Sequence, residues 1–137
     1  AQLHEIGAQI SHSDYHKHGA YILGNSDAPG FSLSELERLG QLVLGHRGKL
    51  AKLSIDYNDV TFVQQLLALR LAVVLCHARR DPDLKDLMVA CNLNAPRRVS
   101  ISLRAGWAEA WPQSAHLLRE EVNAWQRTPW NLQILLA

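Results

Sequence analysis

The sequence lacks most of what would announce a chemistry. It has one methionine and two cysteines in 137 residues. Cys76 and Cys91 sit among apolar neighbours without metal-ligand spacing, which sets aside a disulfide framework or zinc finger and leads us to expect buried thiols in a reducing, cytoplasmic compartment. An excess of one charge is missing too, since fourteen Lys and Arg stand against thirteen Asp and Glu for a formal charge of +1. Attraction for a polyanion must then come from local clustering, and nothing in the composition points to nucleic acid. No long apolar run exists: the longest, Val60 to Cys76, is broken by Gln64, Gln65 and Arg70, short of the roughly 20 residues a membrane span needs. No signal peptide is visible either. Neither a Gly-x-Ser-x-Gly elbow nor a Walker-type phosphate loop occurs, so nucleophilic and nucleotide-loop chemistries have no anchor. Glu5, beside His4, is the only acid with a suggestive neighbour.

What is present is a composition suited to a folded core, with 47% apolar and 20% charged residues, in one domain or two small modules. Helical spacing starts at once with Leu3, Ile6, Gly7 and Ile10, without a start signal, so the chain reads as part of something longer. A second helix is expected from about His16 to Gly24, then a loop over Asn25 to Gly30. Ser32 followed by Glu35 forms a capping box, flanked by Phe31 and Leu36 as a hydrophobic staple. Leu36, Leu39, Val43 and His46 share one face of the helix that follows, and Gly48 is placed to end it. Asp59 can cap a long helix to about Arg80, with stripes through Phe62, Leu66, Leu69, Val73 and Cys76 and through Val63, Leu67, Arg70, Val74 and His77. A helix apolar on two sides is central to its module, so Arg70 is either paired in the core or reaches a polar cleft.

At Asp81-Pro82 the period changes from 3.6 to 2. Leu87, Val89, Cys91 and Leu93 alternate, Asn94 to Arg97 can turn, and Val99, Ile101 and Leu103 alternate again, as a β-hairpin does. Pro112 can open a helix carrying Ala115, Leu118, Val122 and Trp125 on one face, and Trp130, Leu132, Ile134 and Leu136 alternate as a last strand. The pattern predicts an α+β chain, mainly helical over 1–80 and then a small ββαβ unit over 81–137.

Seven histidines raise the question of a metal, and His12 and His16 could share a face if the helix reaches back that far. His16 and His18 are two apart and face different directions. Hydrogen-bonded histidines in a polar interface are the plainer reading, followed by anion contact. His16-Lys17-His18 and then His46-Arg47, Lys49 and Lys52 flank the loop and capped helix, with Arg70 beneath them as a further cation. Cations converging on one groove suit a linear polyanion, and a solvated basic edge is the plainer alternative. Arg79-Arg80 and Arg97-Arg98 lie beside turns and receive no role. Trp107, Trp111, Trp125 and Trp130 all fall in the last third, as core aromatics rather than a stacking platform.

The stretch HEIGAQISHSDYHKHGAYILGNSDAPGFSLSELERLGQLVLGHRGKL, His4 to Leu50, resembles the C-terminal region of the exopolyphosphatase and guanosine pentaphosphate phosphohydrolase family. The run from His18 to Asp27 carries the likeness most specifically; LLALRLAVVL and the Trp-rich ending fit more loosely. The resemblance implies an all-helical domain similar to the HD phosphohydrolases, with its first helices missing, followed by a small α/β domain. The leading reading is an exopolyphosphatase, which hydrolyses the terminal phosphate of inorganic polyphosphate; catalysis would belong to N-terminal actin-like domains of the same chain, leaving this region inactive alone. His4-Glu5 takes the place of the superfamily's His-Asp pair, with Glu for Asp and no upstream His, so no metal site and no cofactor is expected here, while magnesium is expected for the whole enzyme. Homodimerisation and a basic channel for inorganic polyphosphate are also implied. His18, Arg47, Lys49 and Lys52 are placed on that channel, with His16, Lys17 and Arg70 as second choices. Two other readings stand beside it: a dimerisation module of a guanosine pentaphosphate phosphohydrolase, and a stand-alone HD-type metal phosphohydrolase.

Overall fold

A computed structural model describes residues 2–78, 83–94 and 96–136. Among them run α1 (Tyr15–Gly24), α2 (Leu33–Gly45), α3 (Val60–Leu75), β1 (Leu87–Asn92), β2 (Arg98–Leu103), α4 (Trp107–Ala110), α5 (Pro112–Trp125) and β3 (Asn131–Leu136). Helices precede strands, as the change of period predicts. The residues form two compact units, one of Ala1–Gly48 with Gln64–Arg70, the other of Lys49–Val63 with Leu71–Ala137. The switch expected at Asp81-Pro82 and the pair Arg79-Arg80 lie outside the described residues.

In the first unit the expected opening α-helix is replaced by a short 3-10 helix, Ile6–Gln9. The reason is a close backbone approach at Gly7, where a Cβ would stand 1.9 Å from the Tyr15 carbonyl oxygen and 2.4 Å from the Gly19 nitrogen. Asp14 precedes α1 in the left-handed region at φ 54°, so the helix does not extend back to His12 and the proposed His12/His16 face does not form. α1 and α2 then pack through small residues: a Cβ on Gly19 would meet Val43 Cγ1 at 2.8 Å, and one on Gly40 the Ala20 carbonyl oxygen at 3.4 Å.

The capping box of α2 is complete. The Glu35 amide donates to Ser32 Oγ at 3.3 Å and the Ser32 amide to Glu35 Oε2 at 2.7 Å, a cap that stabilises by about 1 kcal/mol. Phe31, however, is 53% exposed while Leu36 is buried, so the expected staple contributes little. Gly48 at φ +80° lies beyond the end of α2, whose C-cap is His46. Asp59 caps α3 by accepting from the Phe62 amide at 2.9 Å. Phe62, Val63, Leu66, Leu67 and Leu71 are all buried, in keeping with a helix that is apolar on both sides. α3 stops at Leu75 and tightens into a 3-10 turn over Cys76–Ala78, short of the expected Arg80.

The second unit contains the ββαβ order. β1 and β2 pair antiparallel with Leu87 opposite Leu103, Val89 opposite Ile101 and Cys91 opposite Val99, so the two alternating sets meet in phase. β3 pairs parallel to β2, Val99 opposite Leu132 and Ile101 opposite Ile134, which requires the helical crossover that α5 provides. Pro112 starts α5, where its missing N–H costs nothing. The four-residue α4 before it has no pattern long enough to read in advance. Trp107, Trp125 and Trp130 are buried with Val99, Ile101, Leu103 and Leu118, the core role expected of the tryptophans, while Trp111 is half-buried. Arg97 Nη1 and Trp130 Nε1 both donate to the Tyr57 carbonyl, at 2.7 and 3.2 Å.

Both cysteines are free and exposed rather than buried. Cys76 lies past the last buried turn of α3, and Cys91 belongs to β1, an edge strand that is exposed over most of its length. Among the described residues no helix is long and apolar enough to cross a membrane.

Candidate phosphate-contact site

The first unit gathers aromatic and basic side chains around the C-terminus of α2. His46 is 2% exposed. Its Nδ1 lies 2.5 Å from the Val43 carbonyl oxygen and its Nε2 3.3 Å from the Tyr15 hydroxyl. A carbonyl can only accept, so Nδ1 carries the hydrogen and the Nε2 lone pair faces the tyrosine O–H. The His4 ring meets His46 edge-on at 5.2 Å between centroids, Tyr15 lies at 5.5 Å and His16 at 6.4 Å. Burial, outweighing the Val43 hydrogen bond, brings the His46 pKa down to about 4, with His4, His16 and Arg47 pushing the same way. The imidazole is neutral at physiological pH.

Arg47, the next residue, is exposed, and its guanidinium carbon sits 4.9 Å from the centre of the Tyr15 ring. The ring holds the planar cation by a cation–π contact without neutralising it. His16 packs edge-on to the same tyrosine at 6.2 Å. Its Nδ1 is buried with no hydrogen-bond partner among the described residues. Burial lowers its pKa first and Arg47 second, against Asp14, which raises it.

The other candidates are placed less centrally. Lys17 is exposed and pairs with Asp14 at 3.1 Å, holding that carboxyl below its usual range. His18 is half-buried on α1. Lys49 and Lys52 are exposed and belong to the second unit, Lys52 closing the 3-10 turn Leu50–Lys52. Arg70 is 4% exposed and donates to the Gly45 carbonyl at 2.6 Å and the Gly48 carbonyl at 3.1 Å. Of the two roles open to it in the sequence, it takes the core one, holding carbonyls at the end of α2 that no helical N–H reaches. Tyr15, which links His46, His16 and Arg47, had no place in the sequence reading; its signal is an aromatic side chain at the first position of a His-rich helical turn.

His4 Nε2 stands 3.7 Å from Glu5 Oε1. Among the described residues no group of three or more His, Cys, Asp or Glu is arranged to hold a metal ion. The cluster can present one held, solvent-facing cation above a neutral, hydrogen-bonded base.

Helices first and a small ββαβ arrangement after them is the order that the resemblance of His4 to Leu50 implies. The family model described as Ppx/GppA phosphatase, domain III, matches residues 1–124, and the chain belongs to that family. Among curated relatives, the guanosine-5'-triphosphate,3'-diphosphate pyrophosphatase of Pseudoalteromonas translucida (strain TAC 125) is 34% identical over 96% of this chain. Proteins of the same name are 33% identical over 98% in Vibrio campbellii (strain ATCC BAA-1116) and 28% identical over 100% in Aeromonas hydrophila subsp. hydrophila. The chain spans 27% of the length of the first two and 28% of the third.

Proposed function

We propose that this chain is the C-terminal part of a phosphoanhydride hydrolase, and that it holds the substrate's phosphate chain while N-terminal domains of the same protein cut it. Arg47 carries this reading. A guanidinium that is exposed, unneutralised by the ring beneath it and fixed in direction matches what a phosphate oxygen requires. His16, Lys17 and His18 on α1 add positive or protonatable groups, and Lys49 and Lys52 continue the cationic run along the sequence. Arg70 is left out of the contact set because it is buried on the Gly45 and Gly48 carbonyls. Contact with the chain is electrostatic and therefore salt-dependent.

The relatives' names favour guanosine-5'-triphosphate,3'-diphosphate as the whole enzyme's substrate, with inorganic polyphosphate second; both present linked phosphates to the same cations. Homodimerisation, a cytoplasmic location and magnesium for the phosphoryl chemistry of the N-terminal domains complete the proposal. A metal-dependent hydrolase within this chain is less well supported, because the only lone pair of the neutral His46 ring faces the Tyr15 hydroxyl.

Arg47→Ala tests the reading. The expected result is roughly tenfold weaker binding of tripolyphosphate, with the slope of log affinity against log salt reduced by about one. Isothermal titration at several salt concentrations measures both. Unchanged affinity and slope in Arg47→Ala would remove Arg47 from the contact.

A further inference from the structure

His16 is the one member of the cluster whose ring has a buried nitrogen without a partner, and it neighbours the exposed Arg47 through their shared contact with Tyr15. The charges around it are unequal. On its own helix, or at its start, stand Asp14, Lys17, His18 and Tyr15, and from the end of α2 come His46 and Arg47; His4, beside Glu5, packs on His46, and Arg70 of α3 is held at the Gly45 and Gly48 carbonyls. Of these, Arg47, Lys17 and His18 disfavour a proton on His16 and Asp14 favours one. Lys17 already occupies Asp14.

We propose that His16 is the proton-linked member of this site, taking up a proton as a phosphate chain binds at Arg47, so that binding there strengthens as pH falls below neutral. The proposal rests on the reading that Arg47 contacts a phosphate chain. The anion offsets the field of Arg47, the largest charge repulsion on His16, and adds negative potential of its own. His46 does not compete for the proton, since deep burial and its bonds to Val43 and Tyr15 keep it neutral. By linkage the effect is reciprocal: whatever the anion adds to the proton affinity of His16, the proton adds to the affinity for the anion.

The test is a histidine-ring NMR titration of the 137-residue chain between about pH 5 and 8, with and without saturating tripolyphosphate at low salt, spanning the range where imidazoles titrate. His16→Gln assigns the resonance, and the measurement itself uses the unaltered chain. The expected result is a His16 midpoint raised by about one unit on saturation, equal to about tenfold tighter binding to the protonated form, with no proton on His46. Saturable binding with the His16 midpoint unmoved would overturn this inference and leave the Arg47 reading intact. No binding of tripolyphosphate would overturn both.

Discussion

Gly7→Ala is expected to destabilise the first unit by more than about 3 kcal/mol, enough to prevent a marginal domain from folding. The added methyl would sit 1.9 Å from the Tyr15 carbonyl oxygen and 2.4 Å from the Gly19 nitrogen. Both are backbone atoms, so no rotamer change relieves the overlap; either the 3-10 turn lifts off α1 or α1 itself distorts. Because the same turn follows His4 and the same stretch of α1 carries Tyr15 and His16, the phosphate-contact cluster should be lost with the packing. Gly24→Ala provides the comparison, since a Cβ there meets nothing within 4 Å and alanine favours a helix. Urea denaturation of the two variants measures the difference. Equal midpoints would mean that the backbone approach at Gly7 is not a constraint on the fold.

The second large effect is on acid stability. His46 has a folded pKa of about 4, against about 6.5 for an unperturbed imidazole. Between those values the unfolded chain binds the proton and the folded chain does not. Stability is therefore whole above about pH 6.5, falls as the pH drops, and stops falling through this residue below about pH 4. Over those roughly 2.5 units the loss amounts to about 3 kcal/mol. His16, also lowered, acts in the same sense; the lowered carboxyls of Asp14 and Glu35 act at more acid pH. His46→Asn keeps a donor for the Val43 carbonyl and removes the titration, so it should start less stable at neutral pH and lose less on acidification. Urea midpoints at about pH 7 and 4.5 check this, and parallel losses in both proteins would show that His46 is not the acid-sensitive group.

Much of the fold was legible because local chemistry determined it. Ser32 with Glu35, Asp59 and Pro112 each mark a helix start where the structure has one, since a cap depends on residues three apart. The hairpin sets the two period-2 runs opposite each other, Val89 to Ile101 and Cys91 to Val99, with the β2 run the buried one. What was not legible depends on contacts between distant residues. Helical spacing across Leu3–Ile10 gave no hint that Gly7 presses against α1, and an apolar neighbourhood around Cys91 does not reveal that its strand lies at the sheet edge. The site shows the same division. Arg47 was a candidate by its charge and its neighbours, whereas the role of Tyr15 required bringing together residues 31 positions apart in sequence. Arg70 left two roles open, and only the Gly45 and Gly48 carbonyls decide between them.

The most direct test of the phosphate-holding role is a titration of the 137-residue chain with long-chain polyphosphate, and separately with a very short chain, at two salt concentrations. The proposal predicts saturable binding that is tighter for the long chain and weakens steeply with salt, as several cation–phosphate contacts require. No saturable binding of either chain at the lower salt concentration would contradict it.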